Sequence, residues 1–159
     1  MCFHTSLNKP ITALENRYHA QIEQAEKYTP QEAINGFAHP ELLVLTNKNP
    51  EMLQHFNWGL VPFWAKDTSI QRYTLNAKIE TLHEKPSFKN VVQNRCLVPV
   101  DGFYEWQWQD SKGQQKQKYH IQLQSEEIFS LGGLWSQWTD NSSGEIVNTF
   151  TIVTTEANA

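Results

Sequence analysis

Residues 95–108 of the chain read RCLVPVDGFYEWQW, and they predict two consecutive β-strands, at residues 96–100 and 103–108. Both runs are rich in the β-branched and aromatic residues that strands favour, and an Asp-Gly pair separates them. Further short strands are predicted at residues 119–123, 128–131 and 149–154. The tetrapeptide Asp-Ser-Lys-Gly at residues 110–113 is typical of a hairpin turn. The second half of the chain is therefore predicted to be mostly β-sheet.

The first half contributes one predicted helix, residues 10–27, in which apolar side chains recur at helical spacing. Residues 28–40 contain two prolines and a glycine, and they are predicted to form a connector. Strands are predicted at residues 42–45 and 55–64, and short helical pieces at 76–82 and 87–92. One helix followed by many short strands predicts a single α+β domain with a strongly curved, barrel-like, mostly antiparallel sheet.

Length and composition indicate an ordinary globular domain. The chain has 159 residues, of which 39% are hydrophobic and 19% are charged, and its sequence pI is about 5.8. No stretch approaches the ~20 apolar residues of a membrane helix, and the first residues lack a secretion signal. Two cysteines are too few for a disulfide framework. The chain is therefore predicted to be cytoplasmic, without a membrane partner.

The charge pattern gives an ambiguous indication of a nucleic-acid partner. The net charge of −4 argues weakly against one. Residues 66–95, however, carry six basic side chains against three acidic ones. A solvated surface explains this excess as well as a phosphate-binding stripe does. None of the six histidines has metal-ligand spacing with a cysteine, so neither a metal site nor a cofactor is expected.

Cys2 follows the initiator methionine, and this position has chemical consequences. Removal of Met1 would leave a free α-amine and a thiol on neighbouring carbons of one residue. The amine titrates near ~8 and the thiol near ~8.5, so each is partly nucleophilic at neutral pH. Such an aminothiol adds to an aldehyde and closes a thiazolidine ring. The alternative is that residue 2 merely begins an edge strand.

Three other side chains are candidates for chemistry. Glu105 lies between aromatic residues on a predicted strand, where partial desolvation suits it to proton transfer, although a glutamate facing water from an edge strand fits equally well. Asn76 could cap a helix or could bind a substrate oxygen. At least four of the six tryptophans are predicted to lie in the core. Trp64, with Lys66 close behind it, is the best candidate for an exposed ring that stacks on single-stranded bases.

Six segments together resemble the SRAP family, the SOS-response-associated, abasic-site-processing proteins. They occur in the family's order and span the chain: Met1-Cys2, WGLVPFW at 58–64, NAKIET at 76–81, RCLVP at 95–99, GFYEW at 102–106 and FTIVTTEAN at 150–158. The resemblance implies the family's α+β fold. It also implies binding of single-stranded DNA and capture of the aldehyde of an abasic site by the N-terminal cysteine, as a thiazolidine DNA–protein crosslink.

The resemblance also implies roles for particular residues. Cys2 would be the nucleophile after a removal of Met1 that members perform on themselves, Asn76 would orient its amine and the sugar, and Glu105 would shuttle the proton. The implied DNA-binding residues are His4, Pro40, Trp64, Lys78, Lys85, Lys89, Trp106 and Thr155. The implied partner is single-stranded DNA with abasic sites, which would associate the protein with the nucleoid.

The chain departs from the family pattern at three places. Phe3-His4 stands where the family commonly has Gly-Arg, so an arginine contact with phosphate is lost or replaced. Lys78 stands where arginine is usual, which keeps the charge but loses the bidentate fork. The family's catalytic histidine follows the Thr-Thr-Glu-Ala-Asn segment, beyond Ala159. Residues 1–159 are therefore expected to be an SRAP domain that lacks its C-terminal portion.

Two other functions remain open from the residues alone. An N-terminal-nucleophile amidohydrolase also begins with a processed cysteine and uses its amine as the base. A non-catalytic module that only binds single-stranded DNA would need the aromatic and basic residues but not Cys2. Covalent capture of an abasic site, glutamine hydrolysis and reversible, salt-sensitive binding distinguish the three functions.

Overall fold

The computed structural model of this protein describes residues 1–157 as a mostly β structure with one α-helix. Its strands and helix, in chain order, are β1 (His4–Leu7), α1 (Ile11–Tyr18), β2 (Gln21–Ile22), β3 (Gln31–Asn35), β4 (Glu41–Thr46), β5 (Met52–Trp58), β6 (Asn76–Lys78), β7 (Arg95–Val100), β8 (Gly102–Trp108), β9 (Lys116–Ile121), β10 (Phe129–Thr139) and β11 (Ile146–Thr154). Short 3₁₀ turns occur at Ala25–Lys27, Gly36–Ala38 and Ser69–Tyr73.

Five strands close into a barrel in the order β5-β4-β7-β10-β11. These neighbours pair antiparallel, and β11 then returns to β5 in parallel, with Thr149 opposite Asn57 and Phe150 opposite Trp58. The second half of β11 leaves β5 and pairs with β6, with Ile152 opposite Asn76. The predicted α+β domain with a strongly curved, barrel-like sheet is therefore confirmed, and the barrel closure places Asn76 at the point where β6 replaces β5.

A smaller antiparallel sheet, β3-β1-β8-β9, packs beside the barrel. The chain passes from the barrel to this sheet at the buried Asp101, between β7 and β8. The Asp101 carboxylate accepts hydrogen bonds from the Ser6 hydroxyl, at 2.5 Å, and from the Asn8 backbone N–H, at 2.7 Å. Because Ser6 belongs to β1, these bonds fix the strand that carries the N-terminus.

The barrel core is centred on two stacked aromatic rings. Trp58 and Phe150 are fully buried, with ring centroids 6.1 Å apart and ring planes within 14° of each other. The Trp58 indole N–H donates to the Leu75 carbonyl at 2.9 Å, so its polar atom is satisfied. Burial of each ring stabilises the fold by roughly 1.5–3 kcal/mol. The same bond fixes the position of the backbone immediately before Asn76.

The predicted helix of residues 10–27 is too long. Helix α1 ends at Tyr18, because His19 adopts a left-handed conformation (φ 50°) and its N–H bonds to the Glu15 carbonyl. Beyond it the backbone pairs with β5 instead: the Gln21 N–H donates to Glu51 and the Glu23 N–H donates to Leu53. Tertiary pairing therefore overrides the helical periodicity of this segment.

Other segments also differ from the sequence prediction. The predicted connector at 28–40 contains β3, which pairs with β1. The predicted strand at 55–64 ends at Trp58, because Gly59 turns with φ 122°. The predicted helical piece at 76–82 begins instead as strand β6, and residues 79–94 form separate turns with isolated bonds such as Leu82 N–H to the Lys78 carbonyl. The piece at 87–92 is likewise a set of turns.

The tryptophans are less buried than predicted. Trp58, Trp135 and Trp138 lie in the core, but Trp64, Trp106 and Trp108 are exposed, so three of the six and not four are core residues. Trp64, predicted to be exposed, is confirmed at 46%. Within residues 1–157, none of the helical segments has the length and apolar character required to span a membrane.

Candidate functional site: the N-terminal cysteine

Asn76 holds the backbone of Cys2 on both sides. The Cys2 backbone N–H donates to Asn76 Oδ1 at 2.7 Å, and Asn76 Nδ2 donates to the Cys2 carbonyl at 2.7 Å. The two residues are 74 positions apart in sequence. The pairing of β6 with β11 fixes the backbone of Asn76. Asn76 therefore neither caps a helix nor stands free, and its amide fixes the nitrogen of Cys2 in space.

The Cys2 side chain is buried, with 7% of the residue exposed. Burial, and secondarily the nearby Glu105 carboxylate, raises the pKa of the Cys2 thiol to about 12. The weak S–H donor points toward the His4 carbonyl at 3.9 Å. While Met1 is attached, the thiol is therefore protonated at neutral pH, and Cys2 is a poor nucleophile.

The Glu105 side chain lies close to the N-terminal amine in the folded chain. Its Oε1 is 3.6 Å from the Met1 ammonium nitrogen, and about a third of its side chain is exposed. After burial, the Glu105 carboxylate is the second cause of the raised pKa of the Cys2 thiol. The structure thus brings together the three residues predicted to be catalytic: Asn76 is hydrogen-bonded to Cys2, and Glu105 lies beside the amine of the preceding residue.

His4 and Trp106 form an aromatic wall beside this site. Their ring centroids are 4.9 Å apart in an edge-to-face arrangement, and Phe37 approaches His4 at 6.4 Å. Burial, and then the Lys118 ammonium, lowers the pKa of His4, so the ring is neutral at pH 7. A neutral imidazole does not replace the charge of the family's arginine at this position.

The Trp64 side chain contacts the turn that carries two of the predicted DNA-binding lysines, Lys85 and Lys89. The Trp64 indole N–H donates to the Pro86 carbonyl at 3.3 Å, next to Lys85, whose carbonyl accepts from the Lys89 N–H at 2.9 Å. Both lysines are exposed. The exposed Trp64 ring is therefore bonded to a turn that carries two exposed lysines, and a surface of this composition suits stacking of single-stranded bases.

Two more predicted DNA-binding residues, Lys78 and Thr155, lie near Glu80, which follows β6. Thr155 follows β11, and its hydroxyl donates to Glu80 Oε1 at 3.0 Å, while the Glu156 N–H donates to the same oxygen at 2.9 Å. These hydrogen bonds, with a smaller contribution from Lys78, lower the pKa of Glu80. The Thr155 hydroxyl is thus already bonded. Asn158, the end of the quoted motif, lies outside the described residues.

Pro40 is partly exposed and follows the left-handed His39. Its carbonyl accepts from the Trp58 N–H at 3.0 Å, so the loop before β4 is fixed to the barrel. One feature of the site was not foreseen: Phe37, which is 53% exposed and packs on Phe3 at 5.0 Å. Its position does not follow from sequence spacing, because it depends on how β1 pairs with β3.

Within residues 1–157, the structure contains no cluster of three or more His, Cys, Asp or Glu side chains placed to hold a metal ion. The described site contains an amide, a carboxylate and a cysteine, with aromatic and basic side chains around them.

Sequence comparison matches the chain to a known family. The family model described as SOS response associated peptidase (SRAP) matches residues 1–159. The abasic site processing protein YoqW of Bacillus subtilis is 41% identical over 118 residues, which are 74% of this chain and 51% of that protein. The abasic site processing protein HMCES of Gallus gallus is 31% identical over 134 residues, 70% of this chain and 39% of that protein. The chain spans about half the length of its Bacillus relative and about two fifths of the length of the vertebrate one.

Structural comparison agrees. A crystal structure of a protein from Bacteroides thetaiotaomicron superposes with a TM-score of 0.89 at 35% identity, over 99% of this chain and 69% of that chain. A protein from Bordetella bronchiseptica superposes with a TM-score of 0.76 at 19% identity, over 98% of this chain and 73% of that chain. The second likeness concerns the fold alone.

Proposed function

Because this chain belongs to the SRAP family, we propose that it binds single-stranded DNA and captures abasic sites covalently through Cys2 after Met1 is removed. Relatives of the chain are named abasic site processing proteins. The observation that carries the proposal is the position of the Cys2 nitrogen, held 2.7 Å from Asn76 Oδ1 with Glu105 at the N-terminus. An abasic sugar in its open form presents an aldehyde, and a fixed aminothiol is a specific reagent for an aldehyde.

The first step is hydrolysis of the Met1–Cys2 peptide bond, which the family resemblance implies the chain performs on itself. One water is consumed, Met1 leaves as the free amino acid, and Cys2 gains an α-amine. The structure supports this step because the bond lies between Asn76, which accepts from its N–H, and Glu105, which faces the Met1 amine. The new amine is released in the place where its nitrogen is already held.

Capture then proceeds through an imine. The Cys2 amine adds to the aldehyde carbon, and the resulting carbinolamine loses its hydroxyl as water, for which Glu105 supplies the proton. The Cys2 thiol next attacks the imine carbon, forming the C–S bond of the thiazolidine. The thiol proton passes to Glu105, which replaces the proton that Glu105 gave to the leaving water. The ring nitrogen takes up the electrons of the C=N bond and keeps the hydrogen that it carried as the iminium. The net change is the loss of one water, with no oxidant or reductant.

Asn76 positions the nucleophile and does not transfer protons, because an amide does not titrate near neutral pH. Holding the Cys2 nitrogen and carbonyl together restricts rotation of the residue, which lowers the entropy cost of reaching the aldehyde. Glu105, in contrast, is a carboxylate 3.6 Å from the Met1 amine, next to Cys2, and a carboxylate suits the proton transfers.

The DNA strand is proposed to contact the residues that surround this site. Trp64 with Lys85 and Lys89 supplies a ring and two charges, and Lys78 lies two residues from Asn76 on the same strand. The remaining proposed contacts are His4, Pro40, Trp106 and Thr155. His4 would pack against the sugar or a base as a neutral ring, because its pKa is lowered.

The test is a denaturing gel of the purified protein after incubation with a single-stranded oligonucleotide that carries one abasic site. We expect a retarded covalent band that survives denaturation, and no such band with intact DNA or with a tetrahydrofuran analogue, which has no aldehyde. Glutamine hydrolysis without a band would instead support the amidohydrolase. Retention that is reversible and salt-sensitive, again without a band, would leave only the binding module.

A further inference from the structure

The β8–β9 hairpin carries aromatic and basic side chains in register on one face. Tyr104 lies opposite His120, Trp106 opposite Lys118, and Trp108 opposite Lys116. Alternate residues of a strand share a face, so all six side chains project from the same side of the hairpin. We call this set of six residues the aromatic–basic ladder.

The three pairs of the ladder are in contact. The rings of Tyr104 and His120 stack with centroids 4.4 Å apart, and Lys118 Nζ lies 4.2 Å from the Tyr104 centroid. Lys118 Nζ is also 5.7 Å from the Trp106 ring. In the outermost pair, Lys116 Nζ is 4.1 Å from the Trp108 ring. Each ammonium therefore lies beside a ring and within reach of a phosphate attached to a base stacked there.

The ladder is exposed to solvent. Trp106 is 39% exposed and Trp108 is 53% exposed, and both lysines lie on a strand with every residue exposed. No ladder position is acidic; on β8 the acidic residue, Glu105, belongs to the opposite face, with Gln107. At the inner end of the ladder, Tyr104 and His120 face a pocket that Glu32, Asp101 and Glu126 also line. The two outer pairs, with two exposed indole rings and two ammonium groups, form a surface complementary to a polyanion with flat bases.

We propose that the aromatic–basic ladder binds the single-stranded DNA on one side of the captured abasic site, with Trp108 as the outermost stacking position. This inference rests on the proposed function. The ladder is continuous with the reactive site, because His4 pairs with Tyr104 and contacts Trp106, and Cys2 lies two residues before His4. Rings at alternate strand positions are spaced by roughly 7 Å, which suits successive bases of an extended strand.

The first experiment measures affinity for an intact single-stranded oligonucleotide labelled with fluorescein, by anisotropy. The Trp108→Ala variant is expected to bind about tenfold more weakly, as for loss of one stacked base, and Trp108→Phe is expected to retain most of the affinity. Lys116→Ala is expected to reduce the slope of log affinity against log salt by about 0.7, the loss of one phosphate contact.

Matched controls lie on the same hairpin and elsewhere. Tyr119 is 41% exposed on the opposite face of β9, so Tyr119→Ala is expected to bind like the original chain. Lys48 also lies over a ring, 5.2 Å from Trp135, but away from the ladder, and Lys48→Ala controls for charge. The inference is overturned if Trp108→Ala binds within about twofold of the original chain, or if Tyr119→Ala weakens binding equally.

The second experiment tests the direction of the strand and separates the two proposals. Initial capture rates are compared for abasic oligonucleotides with nucleotides only on the 5′ side or only on the 3′ side of the lesion. Trp108→Ala is expected to slow capture about tenfold with one of these and to leave the other unchanged. Equal effects on both would contradict the inference. Capture that is absent altogether, with the affinity loss retained on intact DNA, would refute the proposed function and not the ladder.

Discussion

Replacement of Cys2 with alanine is expected to reduce the covalent band with abasic single-stranded DNA to background. Alanine retains the α-amine after Met1 removal, so it still forms an imine with the aldehyde, but it has no thiol to close the ring. An imine hydrolyses on denaturation, whereas a thiazolidine survives. Cys2→Ala should therefore give a band only when borohydride is added before denaturation to reduce the imine.

Cys96→Ala is the matched control for this variant. Cys96 is 5% exposed in β7, and burial raises the pKa of its thiol to about 12. Its sulfur packs against Gly133 in the barrel wall, far from the N-terminal site in the strand order. Cys96→Ala should form the band at the original rate. A band in Cys2→Ala that resists denaturation without borohydride would refute the thiazolidine mechanism.

Replacement of Glu105 with glutamine is expected to slow covalent capture by about 10²–10⁴-fold, the usual contribution of a positioned general acid–base. Glutamine keeps the size of the side chain but cannot carry a proton to the leaving hydroxyl or take one from the thiol. The rate should be measured on protein whose intact mass shows Cys2 as the first residue, because Glu105 also faces the Met1 amine.

Glu41→Gln is the control for charge, since Glu41 is a half-exposed carboxylate that pairs with Lys27 at 3.8 Å in another part of the molecule. It should capture DNA at the original rate. Affinity for intact single-stranded DNA separates catalysis from binding, and Glu105→Gln should leave it unchanged or slightly stronger. A loss of affinity that accounts for the whole loss of rate would mean that Glu105 organises the DNA surface and does not transfer protons.

Much of the fold could be predicted from local sequence. Strand composition identified the segments that became β4, β7, β8 and β11, and Asp110-Ser111-Lys112-Gly113 does form the turn between β8 and β9, with Gly113 at φ 66°. The errors arose where pairing with a distant strand decided the structure. Asn76–Lys78 became a strand because β11 offered an unpaired edge, and the backbone after α1 followed β5.

The site was predicted only in part, because its geometry also depends on pairing between distant segments. Motif order selected Cys2, Asn76 and Glu105, and the structure brings them together at the N-terminus. What the sequence could not give was the reciprocal pair of hydrogen bonds between Asn76 and Cys2, since these depend on barrel closure. The pairing of Trp108 with Lys116 was also missed, although the hairpin turn and strand alternation would have indicated it.

The most direct test of covalent capture by Cys2 is the mass of the N-terminal peptide in the covalent product. Trypsin is expected to release residues 2–17, because Pro10 protects the bond after Lys9. We expect a peptide that lacks Met1 and carries the sugar on Cys2, with a mass equal to the sum of the peptide and sugar masses less one water. A sugar attached to Lys9, or a crosslinked peptide that retains Met1, would contradict it.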